Sequence, residues 1–184
     1  MSTTRTALPT GTWNVDTSHS RVGFRVRHLG ISTVRGEFHG YEGRLVVGED
    51  GDVSASGTVQ VDSVDTADAG RDTHLKSADF FDVETYPEIT FQSTSVTAKD
   101  EDTYEIVGDL TMHGVTTPIT LRAEVGGSTV DPMGNERVGL EVTGELRRSD
   151  FGMKFNMPLG GDTLALGDKI KLELDISAIK QADA

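Results

Sequence analysis

Arg71, Asp72 and His74 place a guanidinium, a carboxylate and an imidazole within four residues of one another. Such a set can move protons or hold an anion. The three lie in residues 63–82, SVDTADAGRDTHLKSADFFD, the one long stretch whose apolar spacing is helical. Arg71, His74, Leu75 and Ala78 fall at i, i+3, i+4 and i+7, so they share one helix face turned to the protein body. Residues two apart on a helix diverge by about 200°, so Asp72 does not orient His74. Asp72 and Lys76, four apart with the acid first, are expected to face water as an ion pair. Three readings of Arg71 and His74 stand. In one they fasten the helix, Arg71 through Asp62 or Asp65 and His74 through a loop carbonyl. In the second they meet the headgroup of a ligand, and in the third they take part in acid–base chemistry.

Other candidates are sparser. Arg148 and Asp150 continue the inward parity of Leu146 and form either a mutual salt bridge or a headgroup contact. His28 ends an apolar strand face, where a barrel strand would reach its mouth. The five histidines, His19, His28, His39, His74 and His113, are isolated in sequence and show no metal-ligand spacing. Nucleophile elbows, phosphate-binding glycine loops and paired-histidine metal helices are absent. No catalytic residue, metal or cofactor is therefore expected.

Composition narrows the rest. The formal net charge is −13, which excludes a phosphate-backbone partner, because nucleic-acid binding needs clustered Lys and Arg. Residues 49–105 carry fifteen acidic against three basic side chains, so the imbalance sits in turn-like clusters and serves solubility. Without cysteine, disulfides, thiolate catalysis and Cys-based metal sites are excluded. The opening MSTTRTALPTGTW has no apolar core of a secretory signal, and no window is apolar enough to span a membrane. The expectation is a cytoplasmic protein without a membrane span.

The elements that must position these residues are strands. Val22, Phe24, Val26 and His28 alternate with Arg21, Gly23, Arg25 and Arg27, as a half-buried antiparallel strand requires. Gly36 and Phe38 alternate likewise. The phase then slips at His39-Gly40, where a bulge would return Tyr41, Gly43, Leu45 and Val47 to the same face. Further inward sets are Val53 to Val61, Ile89 to Ser95, Tyr104 to Met112, Thr117 to Val125, Val138 to Leu146 and Ile170 to Ile176. His113-Gly114 reads as a tight hairpin, Gly126 to Asn135 as a loop, and Phe151 to Gly161 as a looser segment. Residues 1–11 and 181–184 read as tails around one domain, 12–180. The fold class is all-β: an eight-stranded antiparallel barrel with one short helical segment, closed to hide its edges. Gly36, Gly57, Gly108 and Gly144 recur on the inner parity. They either leave room for a ligand or permit barrel corners.

Several motifs resemble one family. Asp16-x-x-His19-Ser20, Val22-x-Phe24-x-Val26-x-His28 and Gly36-x-Phe38 open the match. Arg71-Asp72-x-His74-Leu75, Asp79-Phe80-Phe81-Asp82 and Tyr86-Pro87-x-Ile89-x-Phe91 continue it. Gly108-Asp109-Leu110-Thr111-x-His113-Gly114 and Arg148-Ser149-Asp150-Phe151-Gly152 complete it. Together, from Trp13 to Ile179, they resemble the YceI-like family of bacterial lipid-binding proteins. The resemblance implies a lipocalin-like barrel whose cavity takes a polyisoprenoid or another long-chain amphiphile. It also implies a non-enzymatic carrier, store or sensor, often a homodimer. Many relatives are periplasmic, from which this chain departs. The residues expected to line the ligand site are Phe24, Val26, His28, Phe38, Val59, Val61, Arg71, His74, Phe91, Ile106, Leu121, Val142, Leu146, Arg148, Leu172 and Leu174. The rival reading is an enzyme acting on an amphiphile at the barrel mouth, through His28, His74 and Arg148.

Overall fold

Alternation with period two gives each strand one apolar face, and closing the sheet turns all those faces inward. The computed structural model describes residues 8–160 and 163–182. β1 (Gly11–Val15) and β2 (Arg21–His28) form one barrel strand interrupted by a 3-10 turn at Thr17–His19. β3 (Ser32–Phe38) and β4 (Tyr41–Val47) form the second, broken at His39-Gly40, and β5 (Val53–Gln60) is the third. A 3-10 turn, the two-residue β6 (Val64–Asp65) and helix α1 (Ala69–Lys76) lead to β7 (Glu88–Ala98). β8 (Thr103–Met112), β9 (Val115–Val130) and β10 (Glu136–Arg147) follow. A small hairpin of β11 (Pro158–Gly160) and β12 (Thr163–Leu164) precedes β13 (Leu166–Lys180).

Neighbouring strands pair antiparallel in chain order, and β13 closes the ring. One edge of β13 bonds β10; the other bonds β2 and then β1. The result is an eight-stranded closed antiparallel barrel with one short helix. The phase slip at His39-Gly40 is real: the Gln60 amide donates to Gly40 O at 2.7 Å, and Phe38 and Tyr41 on either side both face the interior. His113 and Gly114, at φ 55° and 74°, make the two-residue hairpin, whose left-handed residues match the strand twist.

Several boundaries differ from the sequence reading. β9 and β10 run through the expected Gly126–Asn135 loop, leaving Asp131–Asn135 as the turn. A register shift at Gly139/Leu140 absorbs the extra glycine. The helix is shorter than its spacing suggests. Asp68 caps it by accepting from the Arg71 amide at 2.9 Å, and the Ser77 hydroxyl donates to His74 O at 2.6 Å to end it. Ala78 therefore lies beyond α1. The expected tails are partly ordered: Leu8 is buried, and the Gln181 amide donates to Thr12 O at 2.7 Å. The remainder of those tails lies outside the described residues.

The two barrel ends are unlike. At the end holding the 48–52, 99–102 and 131–135 turns, Trp13, Tyr104, Ala123, Val138 and Ala178 are 1–2% exposed and pack solid. Trp13 Nε1 donates to Pro9 O at 3.0 Å there. The other end carries α1, the His113-Gly114 turn and the segment from Arg148 to Ala165. Among the described residues no helix is long and apolar enough to cross a membrane.

Candidate functional site

Beneath α1 the barrel is hollow, with a cavity of about 510 Å³. That is within the usual span for small-molecule sites. From the strands it is lined by Phe24, Val26, His28, Phe38, Val59, Phe91, Ile106, Leu121, Val142, Leu146, Leu172 and Leu174. Arg71, His74 and Arg148 line it from the cap. Val61 does not. β5 ends at Gln60, the alternation breaks in the following 3-10 turn, and Val61 packs into closed core at 2% exposure.

The inner glycines do not simply leave empty space. A Cβ at Gly36 would lie 2.4 Å from Phe24 Cζ, one at Gly108 2.4 Å from Phe91 Cζ, and one at Gly144 2.5 Å from Leu121 Cδ2. Each glycine accepts a side chain from the neighbouring strand. The rings of Phe24 and Phe91 thereby lie along the wall instead of projecting across the lumen. Gly57 differs, meeting only the Glu42 and Gly43 backbone.

The cap is built on a polar relay. Asp72 does not pair with Lys76 in water: its Oδ1 accepts from Thr66 N at 2.9 Å and from the Thr66 hydroxyl at 2.6 Å. Thr66, 5% exposed, accepts in turn from Arg71 Nε at 2.7 Å, and its carbonyl accepts from Arg71 Nη2 at 2.6 Å. Arg71 thus rests on Thr66, not on Asp62 or Asp65. His74 finds a carboxylate, not a loop carbonyl: its Nε2 is 2.9 Å from Asp79 Oδ2. Its ring stands edge-on to Phe80 and Phe155, with centroids 5.0 and 5.1 Å away.

Arg148 forms no salt bridge with Asp150, which is exposed. Buried at 4% exposure, it donates Nε to Gly167 O at 2.9 Å, and Nη1 to Met153 O at 2.9 Å and Phe155 O at 2.8 Å. Burial pulls its pKa below the ordinary arginine value, and the charge of Asp168 acts in the opposite sense. The guanidinium therefore clamps the segment that delivers Phe155 to His74. The sequence reading assigned Thr66 and Asp79 no partner. Its signals for the aromatic side of the cap were the Phe80-Phe81 pair and the looser 151–161 segment, which contributes Phe155.

Among the described residues one group has metal-ligand character: Glu37 on β3, His39 just beyond its end and Asp65 on β6. His39 Nε2 is 2.9 Å from Asp65 Oδ2 and 3.7 Å from Glu37 Oε1. Glu37 Oε2 already accepts from Arg21 Nε at 2.8 Å. Each carboxylate has a cationic or imidazole partner, so the arrangement accounts for itself as a surface ion-pair cluster. It stands apart from the cavity.

Comparison with known proteins places this architecture. The family model described as the YceI-like domain matches residues 13–178. Protein YceI of Escherichia coli O17:K52:H18 is 43% identical over 141 residues, covering 76% of this chain and 73% of that protein. A UPF0312 protein of Vibrio parahaemolyticus is 37% identical over 183 residues, covering 95% and 93%. The crystal structure of a Campylobacter jejuni YCEI protein superposes with a TM-score of 0.73 at 30% identity, over 91% of this chain and 96% of that one. A polyisoprenoid binding domain from Saccharophagus degradans superposes at 0.70 with 13% identity, over 92% and 98%, which is a likeness of fold. With nearly the whole barrel matched in sequence and in three dimensions, the chain belongs to the YceI-like family.

Proposed function

We propose that this protein binds a long-chain amphiphile, a polyisoprenoid or another lipid, with its apolar chain inside the barrel. The observation that carries the reading is the cavity. Its wall is largely aliphatic and aromatic; Arg71, His74 and Arg148 line it at the α1 end, and Glu42, Arg44, Ser56 and Thr58 reach it along β4 and β5. Each buried methylene contributes about 0.8 kcal/mol, so affinity comes from the tail and the polar end sets orientation. Membership of the family implies the same ligand class, and the name of the S. degradans domain agrees with it. Storage or transport without chemistry is the corresponding role.

The experiment is native mass spectrometry of protein purified without detergent, followed by uptake of prenyl and acyl chains. A co-purified hydrophobic ligand, or saturable uptake, is expected. Leu121→Trp, which fills the lumen, should abolish uptake without unfolding the barrel. A ligand-free protein that takes up neither chain type would sink the proposal.

The enzyme reading draws on a single observation, the His74–Asp79 pair at the cavity. Among the described residues Asp79 is the only side chain hydrogen-bonded to the His74 ring, and no hydroxyl is bonded to that ring. Turnover of an amphiphile that is lost in His74→Ala with the fold intact would favour it over storage.

A further inference from the structure

Resting on the reading of the cavity as a lipid site, we infer that its polar end selects an amphiphile with an anionic head, a carboxylate or a phosphate, held by Arg71 with His74 beside it. The charged side chains with which the cap lines the cavity are cations. Net charge is −13, yet the cap contributes two guanidiniums to the cavity lining, Arg71 and Arg148. Neither has a carboxylate within salt-bridge distance among the described residues. Glu42, which also reaches the cavity boundary, flanks Gly43 on the outward parity of β4 and is exposed. Arg71 itself is exposed, so an anion there gains charge-assisted hydrogen bonds to a solvated cation and not the relief of a buried charge.

Arg71 has donors to spare. Its Nε and one Nη2 hydrogen are taken by Thr66. Nη1 and the second Nη2 hydrogen have no protein partner among the described residues. That remaining edge is the fork that takes two oxygens of one carboxylate or phosphate. The guanidinium plane is fixed beforehand, because Thr66 is buried and its own hydroxyl proton is committed to Asp72. His74 lies one turn along the same helix face. His74 Nε2 is engaged by Asp79, and Nδ1 has no protein partner among the described residues. Arg148 has committed Nε, both Nη1 hydrogens and one Nη2 hydrogen to backbone carbonyls, so Arg71 offers the larger free edge.

Long-range electrostatics cannot imitate this preference, since the acidic protein as a whole repels anions. The test is calorimetric binding of one tail length with four heads: palmitate, hexadecyl phosphate, hexadecanol and methyl palmitate. The anions are expected to bind about tenfold or more tighter than the neutral heads, the size of a charge-assisted hydrogen-bond pair. The ratio of palmitate to hexadecyl phosphate then tells a fatty-acid site from a phosphate site. Arg71→Gln should bring the ratio of anion to hexadecanol affinity down to about one, and Arg71→Lys should retain most of the preference. Equal affinities for all four heads would overturn this inference and leave the lipid site standing. No uptake of any of them would overturn the lipid site itself. Should Arg71→Gln fail to bind even hexadecanol, the four-head comparison on the unaltered protein decides the matter.

Discussion

Thr66 gives its hydroxyl proton to Asp72 Oδ1 at 2.6 Å, and the same carboxylate oxygen takes the Thr66 amide at 2.9 Å. The contact ties the chain leaving β6 to the first turn of α1, so the residue before the helix and the residue inside it are set as one unit. Asp72→Ala leaves a buried hydroxyl and an amide without their acceptor. Losing an acceptor of this kind costs about 1–3 kcal/mol. Denaturant unfolding should show that loss, with Asp72→Asn milder because a side-chain oxygen remains.

The glycines facing Phe24 and Phe91 should differ in tolerance. At Gly36 an added Cβ meets only the far end of the Phe24 ring, whereas at Gly108 it also meets Gln92 O, a backbone atom, at 2.6 Å. A ring can swing into the lumen; a strand carbonyl cannot. Overpacking typically costs about 1–3 kcal/mol. Gly108→Ala is expected at the upper end or beyond, and Gly36→Ala at the lower end with a reduced uptake of ligand. Thermal unfolding and lipid binding measured on both variants check the order.

Arg148→Met removes the shared donor of Gly167, Met153 and Phe155 carbonyls. The β10–β13 ladder does not depend on it, so the barrel should persist while the cap segment loosens. Hydrogen exchange should rise across Met153 to Ala165 and stay low in β10 and β13. Uniform loss of protection throughout the barrel would show that the clamp is part of the global fold.

Arg137 bridges Asp131, at 2.6 Å, and Asp16, at 2.8 Å, at the packed end. The Arg137 side-chain bond comes first among the causes that hold both carboxyls well below the ordinary range. Ser18 and His19 add to it at Asp16, and the Asn135 amide at Asp131. A depressed carboxylate pKa in the folded state contributes stability that is complete above the unfolded value of about 4 and is lost as pH falls below it. Acid unfolding should therefore steepen below about pH 4. Arg137→Met should flatten that part of the profile and leave the pH dependence above it unaltered.

Much of the barrel was legible in the chain because alternation reports which face of a strand meets apolar surroundings. Phe24, Phe91, Ile106, Leu121, Val142 and Leu172 all face the lumen as their parity requires. The His39-Gly40 slip was legible for the same reason, since a change of parity without a change of face needs a bulge. Val61 escaped because period two holds only while the strand lasts, and nothing local marks Gln60 as its last residue.

The cap was decided elsewhere. Helical spacing put Arg71 and His74 on one face and correctly separated Asp72 from His74. It could not find Thr66 for Arg71, Asp79 for His74 or four backbone carbonyls for Arg148, because those partners come from turns, which have no period. Asp72, assigned to water by its spacing from Lys76, turned inward because a buried threonine needed an acceptor. By itself the sequence determined the strands, the closed sheet and the family, all consequences of repeated burial on one side of the chain. Only the tertiary structure decided that the inner glycines receive neighbouring side chains and that Arg71 and Arg148 both reach the cavity. Both depend on which groups from distant segments meet across the lumen, where unpaired charge and close packing are settled atom by atom.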